Sequence, residues 1–547
     1  MIKECTEILA KNLEKNPDFI SNNYSLYDVG DYIIIKKDGT IQSIKFNKNI
    51  DLNKDDLLYR KICFYEYHSR LISMNKPQDP KKLIHSNNYM SFWVKYDSFD
   101  NGKLNIEAID RYFDVLINPR DKYKNADRKM YDFIYQQIGD VDVQQLERNR
   151  KWIKENIFQL DKLGLNLQKK NYLKIFFEED DNTYIKEDKR YLIPNIFTTN
   201  NNIELDSDIY GVPNNNIVLN PKKPYMEHKT KKVTVPYMIN IEQALLQREL
   251  FTYLLINTTK GKNAIYFDMV NNEIVSCQSG ELPQYDFNGL VLFVQKGLNA
   301  VIKYANTVHY TYKLKEPFIV KQFLHLQDDN EKYYNKYTNR QELIDIIDNI
   351  LFSKYLKNNL FNEIEDLSIN ANIKRNLILY RDCIIDWIFN EYKGNIDKTL
   401  HKISTNLTIQ LITDGYLSRA VLVFNTLLSL YIYFGKNVSN NKYNNIQSNL
   451  TTDEEYWFSV GRLIQTYSCI CLGHDRNAIN NLLTISNTTT LMAKLDKIFI
   501  KYNYKIKSDK ILQLYSKIKE YNCHSKTVDE IEVIAGYLYS YCLIKEK

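Results

Sequence analysis

The chain has 547 residues, 44% of them apolar and 26% charged, with a formal net charge of +6. Such a length holds roughly two to four domains around a substantial core, and the composition is that of a soluble globular protein. Eight scattered cysteines in so large a chain argue against a disulfide framework and for a reducing, cytoplasmic compartment, while a charge of +6 permits nucleic-acid binding through a local patch without demanding it.

The opening MIKECTEILAKNLEKN lacks the continuous apolar core of a signal peptide and reads as an amphipathic helix. Residues 32–45 (YIIIKKDGTIQSIK) read as a hairpin turned at Asp38-Gly39. Helical spacing then places Phe64, Tyr67, Leu71 and Met74 on one face, until Pro77 and Pro80 forbid continuation. A loop follows with Lys76, Lys81 and Lys82 and a polar knot of His85, Ser86, Asn87 and Asn88, ahead of a strand over 89–94. Residues 105–117 and 128–139 read as helices. So does 141–163, with Val143, Leu146, Ile153, Ile157 and Leu160 on one face and Arg148, Arg150, Lys151 and Lys154 on the other. Strands are expected at 172–177 and 191–197, joined by the acidic EEDDNTYIKED, and an Asn-rich loop spans 198–216. A helix over 241–255 precedes strands at 264–269, 273–277, 290–295 and 300–312.

All eleven prolines lie at or before Pro317. Proline breaks helix interiors at about 3 kcal/mol, so the proline-free remainder is expected to be a helical bundle. Its first helix carries Leu343, Ile346, Ile347, Ile350 and Leu351 at core spacing. Further helices are expected at 372–392, 397–412, 416–434, 453–471, 489–502, 508–521 and 528–544, the last opening with a Thr527–Glu530 capping box. The longest apolar run, 420–434, is interrupted by Asn425, Thr426 and Ser429 and is shorter than the roughly 20 residues of a membrane span. The expected class is therefore α+β: a mixed domain over 1–329 with antiparallel hairpins and helices and a sub-boundary near 165, then an all-α bundle over 330–547.

Two segments carry chemistry. Within 220–238 (NPKKPYMEHKTKKVTVPYM), Lys222, Lys223, Lys229, Lys231 and Lys232 face a single acid, Glu227, and prolines keep them extended; this suits a phosphate backbone, or equally a solvated loop. In the 75–88 loop, Lys76, Lys81 and Lys82 are placed to position a backbone while Asn87 or Asn88 reads a base or 2′-hydroxyl, with His85 a further candidate nucleic-acid contact. The competing reading has the Asn pair capping its own turn. Tyr89, Phe92 and Trp93 beside the loop are candidates for base stacking against a default of core packing. Cys469, Cys471, His474, Cys523 and His524 lack the spacing of a tetrahedral metal site, and Gly261-Lys262 lacks the P-loop pattern. No catalytic, metal or cofactor residue is expected.

The run ISMNKPQDPKKLIHSNNYMSFWVK (72–95), the lysine block 220–238, and the pairing of YWFSVGRLIQTYS (456–468) with EIEVIAGYLYS (530–540) resemble the large subunit of the type I-B CRISPR Cascade effector complex. The resemblance implies a non-catalytic subunit that recognises a protospacer-adjacent motif in duplex DNA and aids R-loop formation. It implies CRISPR RNA, with its backbone and handle-binding subunits, a small subunit and a helicase-nuclease as partners, no membrane and no cofactor. Sequence along the target would be read by guide pairing, as in single-protein RNA-guided effectors. A scaffold whose basic loops bind protein partners and a divergent metal-dependent nuclease are the alternatives.

Overall fold

The computed structural model describes residues 1–26, 28–47, 53, 55–197, 203–205, 208–213, 238–297, 300–326, 330–360, 364, 367–439, 442–443, 450–473, 475–506 and 508–545. It is an α+β protein of two compact units, Met1–Ser276 with Leu292–Ala305, and Cys277–Val291 with Asn306–Lys547. The division runs through a β-hairpin, ahead of residue 330. Proline content marks where helices can run, not where the chain leaves one core for another.

The first unit is centred on a sheet of β1 (Gly30–Ile35), β2 (Ile41–Phe46), β3 (Ser91–Lys95) and β4 (Tyr172–Phe177), in the order β2-β1-β4-β3. The β1–β2 hairpin turns at Gly39, whose φ of +84° needs a residue without a side chain. β4 lies between β1, to which it is parallel, and β3, to which it is antiparallel. The expected sub-boundary near 165 is therefore absent, because β4 completes a sheet begun before it. At the closest approach, a Cβ on Gly30 would stand 2.3 Å from the Tyr172 carbonyl oxygen.

Three sequence expectations for this unit are corrected. The helix before the key loop is Leu57–Tyr67 and stops well short of Leu71 and Met74, for a reason the loop supplies below. Of residues 191–197 only Phe197 makes a β-bridge, to Pro213; residues 191–195 are not a strand but the last turn of the helix Asp181–Asn195. Asp180 caps it by accepting from the Thr183 N–H at 3.0 Å, and Tyr184, Asp188, Tyr191 and Leu192 form its buried face at spacings of three and four. The 141–163 segment splits into the helix Val143–Asn156 and a 3-10 stretch Ile157–Leu163, broken at Gln159. Leu146, Ile153, Ile157 and Leu160 are buried as expected, but Val143, at the first position of the helix, is exposed. On the basic face, Arg150 pairs with Asp110 at 2.6 Å and Lys154 with the same carboxylate at 3.0 Å.

A small sheet of β5 (Ile203–Leu205), β6 (Asp208–Gly211) and β7 (Ile239–Asn240) precedes the helix Ile241–Thr259, which opens with an Asn240–Gln243 capping box. The expected strands then follow as β8 (Ala264–Asp268), β9 (Ile274–Cys277), β10 (Phe287–Lys296) and β11 (Ala300–Tyr310), ordered β11-β10-β8-β9.

The second unit contains the helices Arg340–Leu351, Ala371–Asn390, Ile396–Asp414, Leu417–Tyr433, Asp453–Ile470, Arg476–Leu483, Thr488–Tyr502, Asp509–Glu520 and Glu530–Lys545. It is not purely helical: β12 (Lys313–Ile319) pairs antiparallel with β13 (Lys336–Asn339), which leads into the first helix through an Asn339–Glu342 capping box. The stripe Leu343, Ile346, Ile347, Ile350 and Leu351 is buried. The apolar run lies mostly in the buried helix Leu417–Tyr433, and among the described residues no helix is long and apolar enough to cross a membrane. The final helix is capped by Asp529, which accepts from the Ile531 N–H at 3.1 Å. Thr527 does not cap it, because its backbone is bridged to Asn487.

The blocks 456–468 and 530–540 meet. A Cβ on Gly461 would stand 2.0 Å from the Val533 carbonyl oxygen, and one on Gly536 would stand 1.9 Å from the Phe458 carbonyl oxygen. The two glycines let the helix backbones touch, and Leu463, Ile464, Ile534 and Leu538 are buried on the same two helices.

Candidate nucleic-acid interface

The 75–88 loop is a rigid mount for two lysines. Asp79, with 0% exposure, is its organiser. One carboxylate oxygen accepts from the Lys81 N–H (3.1 Å) and from Arg111 Nε (3.0 Å). The other accepts from the Leu83 N–H (2.7 Å) and the Ile84 N–H (3.3 Å). The turn closes with the Lys82 N–H on the Asp79 carbonyl, and Lys82 sits at φ +58°, a left-handed conformation that L-residues adopt when neighbours hold them there. Lys81 and Lys82 are exposed, with no ion-pair partner among the described residues.

The other loop residues face inward. Asn87 and Asn88 are each 1% exposed. Asn87 Nδ2 donates to the Arg70 carbonyl (3.0 Å) and to Asp188 (2.8 Å), and its N–H donates to the Ser69 carbonyl (2.8 Å). Asn88 Nδ2 donates to the His68 carbonyl (3.1 Å), and its Oδ1 accepts from the Met90 N–H (3.0 Å). These contacts correct the expectation that either Asn reads a base. They also end the preceding helix: the carbonyls of 68–70 receive donors from Asn87 and Asn88, which replace the N–H groups of a further helical turn.

His85 is likewise committed. Its Nε2 donates to the Lys82 carbonyl (3.0 Å) and its Nδ1 accepts from the Tyr172 hydroxyl (3.1 Å). Burial pushes the imidazole below its usual pKa, consistent with this neutral form. Lys76 is half-buried, its ammonium 3.9 Å from Asp127. Tyr89, Phe92 and Trp93 are core residues; Phe92 packs edge-on against Tyr112. Of the loop's expected contact residues, only Lys81 and Lys82 are presented outward. Lys222, Lys223, Lys229, Lys231 and Lys232 lie outside the described residues, as does His474.

Residues that sequence reasoning passed over hold the mount together. Lys122 Nζ donates to the Pro77 carbonyl (2.5 Å) and Gln78 Oε1 (2.6 Å); burial, with Lys76 nearby, pushes its pKa down to about 7. Asp188 gathers Asn87, His68 (3.2 Å) and Arg248 (3.6 Å). Beside Trp93 of β3, its partner Lys174 on β4 has 0% exposure, pairs with Glu66 and with Asp28 (2.7 Å), and lies 4.2 Å from the Trp93 ring centroid. Burial raises the Glu66 pKa against the pull of Lys174. One signal was available: Asp79 precedes Pro80, a turn-initiating pair.

Among the described residues, no group of three His, Cys, Asp or Glu side chains is placed to hold a metal. Cys471 is buried and Cys469 exposed. Glu178 and Glu179 pair with Lys61 and Lys37. No family model and no curated protein matches the chain.

Proposed function

We propose that this chain is the non-catalytic large subunit of a CRISPR RNA-guided surveillance complex of the type I-B Cascade kind. In this reading it recognises a protospacer-adjacent motif in duplex DNA, aids R-loop formation and helps recruit a helicase-nuclease from a cytoplasmic complex. The observation that carries the proposal is the Lys81–Lys82 turn: two exposed cations on a loop with almost no conformational freedom, inside the longest block of the resemblance. The backbone carrying the two ammonium groups is ordered in advance, so phosphate contact has to order only the lysine side chains, and such contacts set the register of a nucleic acid without reading its sequence.

The test is duplex binding by the reconstituted guide complex, with and without this chain, across a library of flanking trinucleotides. Motif-dependent binding that needs the chain is expected. The variant Lys81→Ala/Lys82→Ala should weaken binding uniformly across motifs and lower the salt slope by about 2, one unit per lost phosphate contact. Equal binding without the chain discards the reading.

A further inference from the structure

The second unit holds a cavity of about 240 Å³, framed by β12, the helices starting at Arg340 and Ala371, and the end of Leu417–Tyr433. It is smaller than the roughly 300–1,000 Å³ of pockets for drug-sized ligands, so it encloses about one ring system and leaves the rest of a ligand at the rim. One wall is apolar and aromatic: Trp387 and Leu343 are buried, and Tyr433 is half-buried. The rim is cationic. Lys313, Lys315 and Lys393 line it, are exposed, and have no ion-pair partner among the described residues.

The floor is locked in place. Arg340, 7% exposed at its side chain, donates from Nε to the Thr311 carbonyl (3.1 Å), from Nη1 to the Ile388 carbonyl (2.9 Å) and from Nη2 to Glu391 Oε1 (2.7 Å). The same Glu391 oxygen accepts the Thr311 N–H at 2.8 Å. Glu391 holds φ +54°, a helix-ending position that favours glycine and costs another residue about 1 kcal/mol. Its carboxylate contacts offset that strain. Two acids line the cavity with the three lysines, Glu316 and Glu391; Glu391 is shared between Arg340 and the field of Lys315, so cations still outnumber acids at the rim. An aromatic wall beside three exposed lysines, none with a carboxylate within 4 Å among the described residues, matches a ligand that is planar at one end and anionic at the other.

We propose that this cavity binds one nucleotide, its base against the Tyr433 and Trp387 wall and its phosphate among Lys313, Lys315 and Lys393. The inference rests on the cavity alone and stands apart from the guide-complex reading. The nucleotide is either free or one unit of a single strand. Both sources are tested with the full chain, using AMP by calorimetry and a fluorescein-labelled oligothymidylate by anisotropy. Ribose 5-phosphate serves as the probe without a base. The variant Lys313→Ala/Lys315→Ala/Lys393→Ala changes only exposed side chains, and circular dichroism checks its fold.

The expected result is binding that the variant weakens at least about tenfold, with ribose 5-phosphate at least about tenfold weaker than AMP. Loss of AMP binding assigns the site to a free nucleotide. Loss confined to the oligonucleotide assigns it to a strand. Unchanged affinities in the variant, ribose 5-phosphate binding as tightly as AMP, or no binding of either nucleotide probe overturns the proposal.

Discussion

The platform under Lys81 and Lys82 and the helix pair Asp453–Ile470 with Glu530–Lys545 both remove freedom from a segment of chain, by opposite means. The platform is polar inside: Glu66, Asp79, Asp188 and Lys174 are all at most 2% exposed. Each is desolvated at a cost and repaid only by specific partners, so the loop has one conformation that satisfies all of them. The helix pair relies on contact between backbones, made possible by two missing side chains. The platform is therefore vulnerable to deletion of an atom, and the helix pair to addition of one.

The largest effect is expected at Lys174. Lys174→Met leaves Glu66 buried without its cation and should destabilise the protein by about 3–5 kcal/mol. Adding Glu66→Leu should recover most of that loss, since replacing both members of a buried pair is often neutral. Denaturant unfolding measures both. A single-variant loss below about 1 kcal/mol would mean that the platform does not depend on this pair.

Next in size is Gly461→Ala, whose methyl would stand 2.0 Å from the Val533 carbonyl oxygen. Forcing the helices apart should cost about 2–3 kcal/mol, and Gly536→Ala should cost the same. The double variant should cost less than the sum, because helices already separated accommodate the second methyl. Strict additivity would show that the two contacts yield independently.

The smallest effect sharpens the comparison through pH. At the N-terminus of the Asp453–Ile470 helix, Glu455 accepts from the Thr451 hydroxyl (2.6 Å) and N–H (2.7 Å) and from the Thr452 N–H (3.1 Å), which holds its pKa below 4.5. A carboxyl lowered on folding contributes stability above its unfolded pKa and loses it as pH falls through the lowered value. Acid unfolding of the parent should therefore be steeper below about pH 4.5 than that of Glu455→Gln. Identical acid limbs would show that the cap contributes nothing on titration.

Much of the secondary structure was legible. The Asp38-Gly39 hairpin, the 172–177 strand, the core stripe from Leu343 to Leu351 and most later helices follow from local period and turn chemistry. The errors arose where a distant partner overruled a local pattern. Most of the 191–197 alternation, through Asn195, belongs to a helix whose buried face starts at Tyr184. Leu71 and Met74 kept helical spacing, but Asn87 and Asn88 claimed the carbonyls before them. β12 and β13 pair across Glu331–Tyr333, and short strands whose partner is separated by a loop leave little trace in composition. Of the candidate site, Lys81 and Lys82 were legible as exposed cations in a proline-bounded loop; that the asparagines face inward was not.

By itself the sequence determined the α+β class, the predominantly helical second half and the basic character of the loop, because these depend on period, proline placement and charge, which are local. Tertiary structure decided where the units divide, which polar residues are interior, and that Gly461 and Gly536 meet. Those outcomes depend on which distant groups satisfy each buried donor and acceptor, and no window of sequence contains both partners.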